Sequence, residues 1–341
     1  MTVITTVFRG LMLVLGASVI VLIAISLHLA GAGAAELTAG VLVLASLPLT
    51  LSADLVFQRF DLWPTFLVML ALAALLWKRR ALGLAALGVG TAAKLYPLAV
   101  VPLAILARRG RDHVLRDLAV FSAAALVLVV PFAIVAPRGV GHVGWLLVRR
   151  PLHVESLGGS VLLVAHRLGG YKPTIYLDFA AGSWDLARPA AKAVAIVSSL
   201  GEAGALLTVW FLFARGRRGR RELLLAFAAA VLGFVAFGKV FSPQYLVRVA
   251  AAVPLALGRV RSFALAATVG AAIVTRYIYV YAYDDLVQAD AGASWLMFAR
   301  NLLLVAVFCA LVLELKARDS SAPSSAAVHA TRSESSVRPA S

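Results

Sequence analysis

Charge is scarce in this chain. Asp, Glu, Lys and Arg make up 14% of its 341 residues, against roughly 25% in an ordinary soluble domain. That excludes a soluble globular fold with a charged surface. Cysteine is almost absent: Cys309 stands alone, so neither an intrachain disulfide nor a cysteine-based metal site is available. The six histidines are scattered. His142, His153 and His166 share one stretch but lack metal-ligand spacing and read as ordinary loop residues. No cofactor is implied, although the pattern leaves room for a divalent metal. Period-two alternation is also missing from the apolar stretches, which argues against strands.

Apolar residues fill the space left by charge, at 62% of the chain. Apolar runs lie at roughly 9–30, 35–57, 61–77, 81–107, 118–136, 190–214, 223–237, 245–257, 262–283 and 294–315. Ten such runs predict an all-α, polytopic transmembrane helical bundle. The net charge is +16, yet the basic residues sit in short turns between the runs: 78–80, 108–111, 215–221, 259 and 261. That is the positive-inside pattern of a multi-pass membrane protein; contact with anionic lipid follows, and a nucleic-acid partner does not. Arginine outnumbers lysine 26 to 6, as in a GC-rich bacterial genome. Residues 1–316 form the expected transmembrane domain, with an outer loop at about 137–189. Residues 317–341, rich in Ser, Ala and Pro, form an expected disordered cytoplasmic tail.

Two runs carry polar interruptions. Lys94-Leu95-Tyr96-Pro97 breaks 81–107, and the octapeptide GKVFSPQY, 238–245, breaks 223–257. Basic turns flank both runs on each side, so each must leave and return to one face as a broken or hairpin-like pair, with its tip at the opposite, outer face. The same tracing puts residue 1 outside. The opening MTVITTVFRG has no cleavable leader pattern, which implies an upstream transmembrane helix beyond this sequence; alternatively Arg9 is cytoplasmic and one hairpin assignment fails.

An ionisable side chain at the centre of a membrane helix costs roughly 2.5–3.5 kcal/mol. Lys94 and Lys239, at the two tips, therefore either snorkel to the interface or meet an anion such as a lipid phosphate. Arg149 and Arg150 suit a phosphate by fork geometry, or headgroups in general. Trp145 to Val148 read as an interfacial patch. Asp61 is either a carboxylate favoured at a helix N-terminus, with Trp63 as interfacial anchor, or part of a site. Arg276 lies among Tyr277, Tyr279, Tyr281 and Tyr283, which read as an aromatic belt.

Four blocks, RFDLWPTFLVMLALAALL, GLAALGVGTAAKLYPLAVVPLAIL, RRPLHVESLGGS and KVFSPQYLVRVAAAVPLAL, resemble successive blocks of glycosyltransferase family 87. These are polyprenyl-phosphate-dependent mannosyltransferases of the GT-C type. The resemblance covers roughly residues 50–260. It implies an enzyme of the bacterial plasma membrane, such as that of actinobacteria, working on the extracytoplasmic face. Such an enzyme moves mannose, or a similar sugar, from a polyprenyl phosphate to a glycolipid or lipoglycan acceptor. The positions that match the family for donor handling are Lys94, Tyr96, Arg150, Glu155, Ser156, Lys239, Ser242, Gln244 and Tyr245; within that set we assign donor-phosphate binding to Lys94, Lys239 and Arg150, and substrate lining to Tyr96, Ser156, Ser242, Gln244 and Tyr245. The family's catalytic aspartate lies in an outer loop after the first helix; no such loop is found here, which leaves Asp61 and Glu155 as the candidate bases. Two other readings remain: a lipid or sugar transporter or flippase, where broken helices also occur, and a non-catalytic remnant or partner of such an enzyme.

Overall fold

The structure, a computed structural model, describes residues 3–320. Its helices in chain order are α1 (Val3–Leu29), α2 (Ala34–Ala45), α3 (Ala53–Phe57), α4 (Leu62–Leu76), α5 (Arg80–Ala93), α6 (Val101–Leu106), α7 (Val114–Val135), α8 (Pro137–Arg149), α9 (Leu157–Arg167), α10 (Pro189–Arg215), α11 (Arg220–Phe237), α12 (Leu246–Ala252), α13 (Arg261–Tyr281), α14 (Tyr283–Val287) and α15 (Ala291–Ser320). They form a helical bundle. Among the described residues, α1, α7, α10, α13 and α15 are long and apolar enough to cross a membrane; α2 with 48–57 makes a sixth if that bent pair is one span.

The count of about ten apolar segments is therefore corrected to five or six. The reason is length. Helices α4 and α5 have 15 and 14 residues, or about 21–23 Å at 1.5 Å per residue, short of a hydrocarbon core of about 30 Å. Their apolar sequence serves packing inside the bundle instead. Helix α11 is the extreme case, with an unbroken buried stretch from Leu223 to Leu232, as expected for a helix apolar on every side. Close packing elsewhere uses glycine. At Gly88 in α5, a Cβ would run into the carbonyl oxygen of Phe121 in α7.

Hydrogen bonds sort the turns into two ends. At one end Arg220 donates to the Leu29 carbonyl at 2.8 Å, Arg80 to Ile105 at 3.0 Å, and Arg218 to Leu106 at 3.1 Å. The basic turns are thus gathered together. At the other end Arg9 pairs with Asp54 at 3.1 Å and Lys94 with Asp61 at 2.7 Å. The chain accordingly runs from Arg80 up α5 to Lys94 and back through a tight turn, Tyr96–Val100, and α6 to the same basic end. Helix α11 repeats the path, returning through Pro243–Tyr245, α12 and Val253–Leu255.

Strands are present after all. The segment between α8 and α10 carries β1 (Leu152–His153), β2 (Ile175–Asp178) and β3 (Ser183–Leu186), antiparallel in the order β1-β3-β2. Strands of two and four residues are too short to print an alternation in sequence. The boundary expected at 317 also moves, since α15 continues to Ser320; residues 321–341 of the expected tail lie outside the described residues.

Candidate functional site

Asp61 stands at the start of α4 and is buried, at 1% exposure. Its Oδ1 accepts from Lys94 Nζ at 2.7 Å and from Arg248 at 3.1 Å (Nε) and 2.6 Å (Nη2). Lys94 reaches it because α5 ends there: Pro97 has no N–H for the Ala93 carbonyl four residues back, and Lys94, just past the helix end, takes an extended backbone. Arg248 reaches it because Pro243–Tyr245 turns the chain into α12. The Arg248 guanidinium lies over the rings of Tyr96 at 4.4 Å and Tyr245 at 3.8 Å, and Lys94 lies over Phe60 at 4.6 Å. Ring faces and a single carboxylate thus hold two cations in a buried place.

Beside this group lies a cavity of about 360 Å³. Lys94, Arg150, Lys239 and Arg248 line it, with Glu202 as the one carboxylate among the described lining residues. Tyr96, Tyr245, Leu147 and Phe234 also border it. Two buried polar atoms on its wall, Thr91 Oγ1 and Arg150 Nε, have no hydrogen-bond partner among the described residues. The excess of cations and these unmet hydrogen-bonding groups suit an anion. A neighbouring cavity of about 430 Å³, bordered by Trp145, Arg149 and Asp178, shares Leu147 and Arg150 with it.

The cavity therefore brings together Lys94, Lys239, Arg150, Tyr96 and Tyr245, with Asp61 directly behind them. Ser242 and Gln244 are half-buried beside Tyr245 and do not line it. Ser156 is corrected from a lining residue to a helix cap: its Oγ accepts from Gly159 N at 3.0 Å and donates to the His153 carbonyl at 2.7 Å, which occupies the hydroxyl. Glu155 lies away from the cavity. Tyr283 donates to its Oε1 at 3.0 Å, while Arg300 and Asn301 bond its carbonyl at 3.0 and 3.2 Å. Burial pushes the Glu155 carboxyl up to about 7, against the pull of Arg300 and Tyr283.

His153 is not an ordinary loop residue. It is buried, its backbone N–H bonds the Lys239 carbonyl at 3.0 Å, and burial with Arg150 nearby drives its imidazole down to about 3. Opposite it on β3, Asp185 is fully buried, and burial raises its carboxyl to about 6.

Sequence reasoning missed Arg248, Glu202, Asp185 and Arg300. Three of these had a usable mark: Glu202, Arg248 and Arg300 each interrupt an apolar helix, where a charge is expensive. Asp185 had none. Among the described residues no group of three or more His, Cys, Asp or Glu could hold a metal ion.

Fold and composition together define an integral membrane protein built as a helical bundle, with a cationic cavity between its broken helices. No family model, no curated protein and no solved structure matches the chain.

Proposed function

We propose that this protein is a membrane glycosyltransferase that moves mannose, or a similar hexose, from a polyprenyl phosphate to a lipid-linked or lipoglycan acceptor. The observation that carries the reading is the cavity. Four cations from three separate parts of the chain, with two unmet hydrogen-bonding atoms, border a partly apolar space where two half-length hairpins meet. A phosphate on a long apolar carrier has that chemistry. With the basic end read as cytoplasmic, the cavity faces the extracytoplasmic side of the plasma membrane. The order of the sequence blocks supports the same reading.

In this scheme Arg150 and Lys239 hold the donor phosphate and stabilise it as it leaves. Lys94 and Arg248 assist from positions fixed by Asp61, which is a positioning residue because its carboxylate is committed to both. The acceptor hydroxyl must lose a proton to a base. Glu202 is the carboxylate bordering the cavity, and its Oε2 lies over Gly238 at the second hairpin tip, 3.4 Å from where a Cβ would stand. It is the base of this scheme. The commitment of Asp61 and the seclusion of Glu155 also favour a second reading, a partner protein that binds the donor without reacting it.

The experiment is sugar transfer from labelled polyprenyl-phosphate mannose by the protein in liposomes, with donor binding measured alongside. Glu202→Gln is expected to keep donor binding and lose transfer by about 10²–10⁴-fold. Lys239→Ala with Arg150→Ala is expected to lose binding. Wild-type binding without transfer would select the partner reading; no binding would remove both.

A further inference from the structure

The opposite end of the bundle holds a second cationic cavity, independent of the reading above. Lys78 and Arg80, Ala107 and Arg108, and the stretch from Arg218 to Arg220 border about 410 Å³. Its charged lining is Lys78, Arg80, Arg108, Arg218 and Arg220, and among the described residues no carboxylate lines it. A topology determinant needs basic residues in a turn and nothing more. Here three of them, Arg80, Arg218 and Arg220, are fixed in place around a concavity.

Carbonyl oxygens do the fixing. Arg218 donates through Nε to Ala214 at 3.0 Å and through Nη1 to Leu106, and Arg220 donates to Leu29. These bonds orient the guanidinium groups, and among the described residues neither forms an ion pair. Arg80 is paired with Asp117 at 2.9 Å, and Arg108 sits 3.8 Å from an exposed Asp112. The Lys78 side chain has no hydrogen-bond or ion-pair partner among the described residues.

Two further features add positive potential or strain. Helices α5 and α11 both begin here, with Arg80 and Arg220 at their first positions. The helix dipole favours anions at that end; α5 has no acid in its first turn, whereas Glu222 in the first turn of α11 stands over Gly219 with one oxygen and lies 3.8 Å from Arg318 with the other. Lys78 and Arg218 also hold left-handed backbone, at φ 61° and 52°, a conformation that favours glycine. Strain kept by a lysine and an arginine in two facing turns marks a place where the side chains are needed.

We propose that this cavity binds a phosphate group, as a phosphate monoester or diester, at the end of the bundle opposite the transfer site. Arginine forks and a lysine suit its oxygens, and the volume suits a headgroup of that kind.

The test uses the full chain in detergent, titrated with inorganic phosphate in one arm and with short-chain phosphatidylglycerol in the other, reading saturable binding and thermal stability. Lys78→Gln with Arg218→Gln is expected to weaken binding at least tenfold. Arg111→Gln with Arg259→Gln removes the same charge from exposed positions outside the cavity and is expected to stay within twofold of wild type. Loss of the Arg218 carbonyl bonds could harm folding, so Lys78→Gly serves as the second variant. Glycine relieves the left-handed residue, so it is expected to raise the melting temperature while weakening phosphate binding severalfold. Binding in the phosphate arm identifies a soluble ligand; binding in the lipid arm alone identifies a headgroup. Equal weakening by both double variants, or no saturable binding in either arm, would overturn the proposal.

Discussion

The two broken hairpins solve one problem with different materials. Each sends a helix from the basic end, breaks it at a lysine, and returns through a tight turn containing proline and tyrosine. The first is anchored through hydrogen bonds: Lys94 to Asp61 at 2.7 Å, Trp210 Nε1 to the Ala99 carbonyl at 2.8 Å, and Tyr96 to Thr65 at 3.3 Å. The second is anchored three ways. Arg248 bonds Asp61, the Lys239 carbonyl accepts from His153, and the Phe241 ring lies 3.8 Å from the Arg300 guanidinium. Their packing differs too. Helix α5 approaches α7 through backbone, at Gly88, whereas α11 is buried all round by side chains. A tip that carries buried charge needs a counter-charge from elsewhere in the chain, and Asp61 supplies it to both at once.

The sharpest way to break this comparison is to remove what the hairpins share. Asp61→Asn leaves the buried Arg248 and the half-buried Lys94 without their shared carboxylate. An uncompensated buried charge costs about 3–5 kcal/mol, so thermal unfolding in detergent should shift strongly, and an unchanged melting temperature would show that the tips are not locked through Asp61.

The packing contrast predicts a smaller effect. Gly88→Ala meets a backbone carbonyl that cannot move away, and should cost about 1–3 kcal/mol as overpacking does. Gly233→Ala in α11 meets the Phe308 ring, whose Cε2 stands 2.8 Å from the new Cβ. A ring edge can shift, so this change should cost less. Equal losses in the two variants would remove the distinction between backbone and side-chain packing.

The finest test concerns the segment that supports only the second tip. The Glu155 carboxyl is raised by burial to about 7 from an ordinary value of 4.5. A group raised in the folded state binds its proton more tightly there than in the unfolded chain. Its contribution is therefore present in full below 4.5 and is lost as pH rises to about 7. Stability should fall across that window, and Glu155→Gln, which keeps an acceptor for Tyr283, should flatten its share of the fall. Parallel pH profiles for the two proteins would mean that Glu155 ionises normally.

Much of this arrangement was legible in the sequence. Lys94 and Lys239 were visible as costly charges inside apolar runs, and the basic turns on either side of each run required a return to one face. Hydropathy and charge are properties of short stretches, so a linear reading recovers them. The same reading failed at Ser156, because a serine before Leu157-Gly158-Gly159 looks alike whether it lines a cavity or caps a helix. It failed at the three short strands, which make no pattern of their own. It also overcounted spans, because a run buried against protein and a run buried in lipid are equally apolar.

By itself, the sequence determined a helical membrane protein whose two interrupted runs turn back at polar tips, because the cost of burying charge and backbone in hydrocarbon acts on each stretch separately. Only the tertiary structure decided which charges meet. Asp61 lies 33 residues from Lys94 and 187 from Arg248, and no local rule links positions so far apart. Their pairing follows from how α4, α5 and α12 pack. That packing sets Lys94 and Arg248 in the wall of a single cavity, with the Asp61 carboxylate behind them.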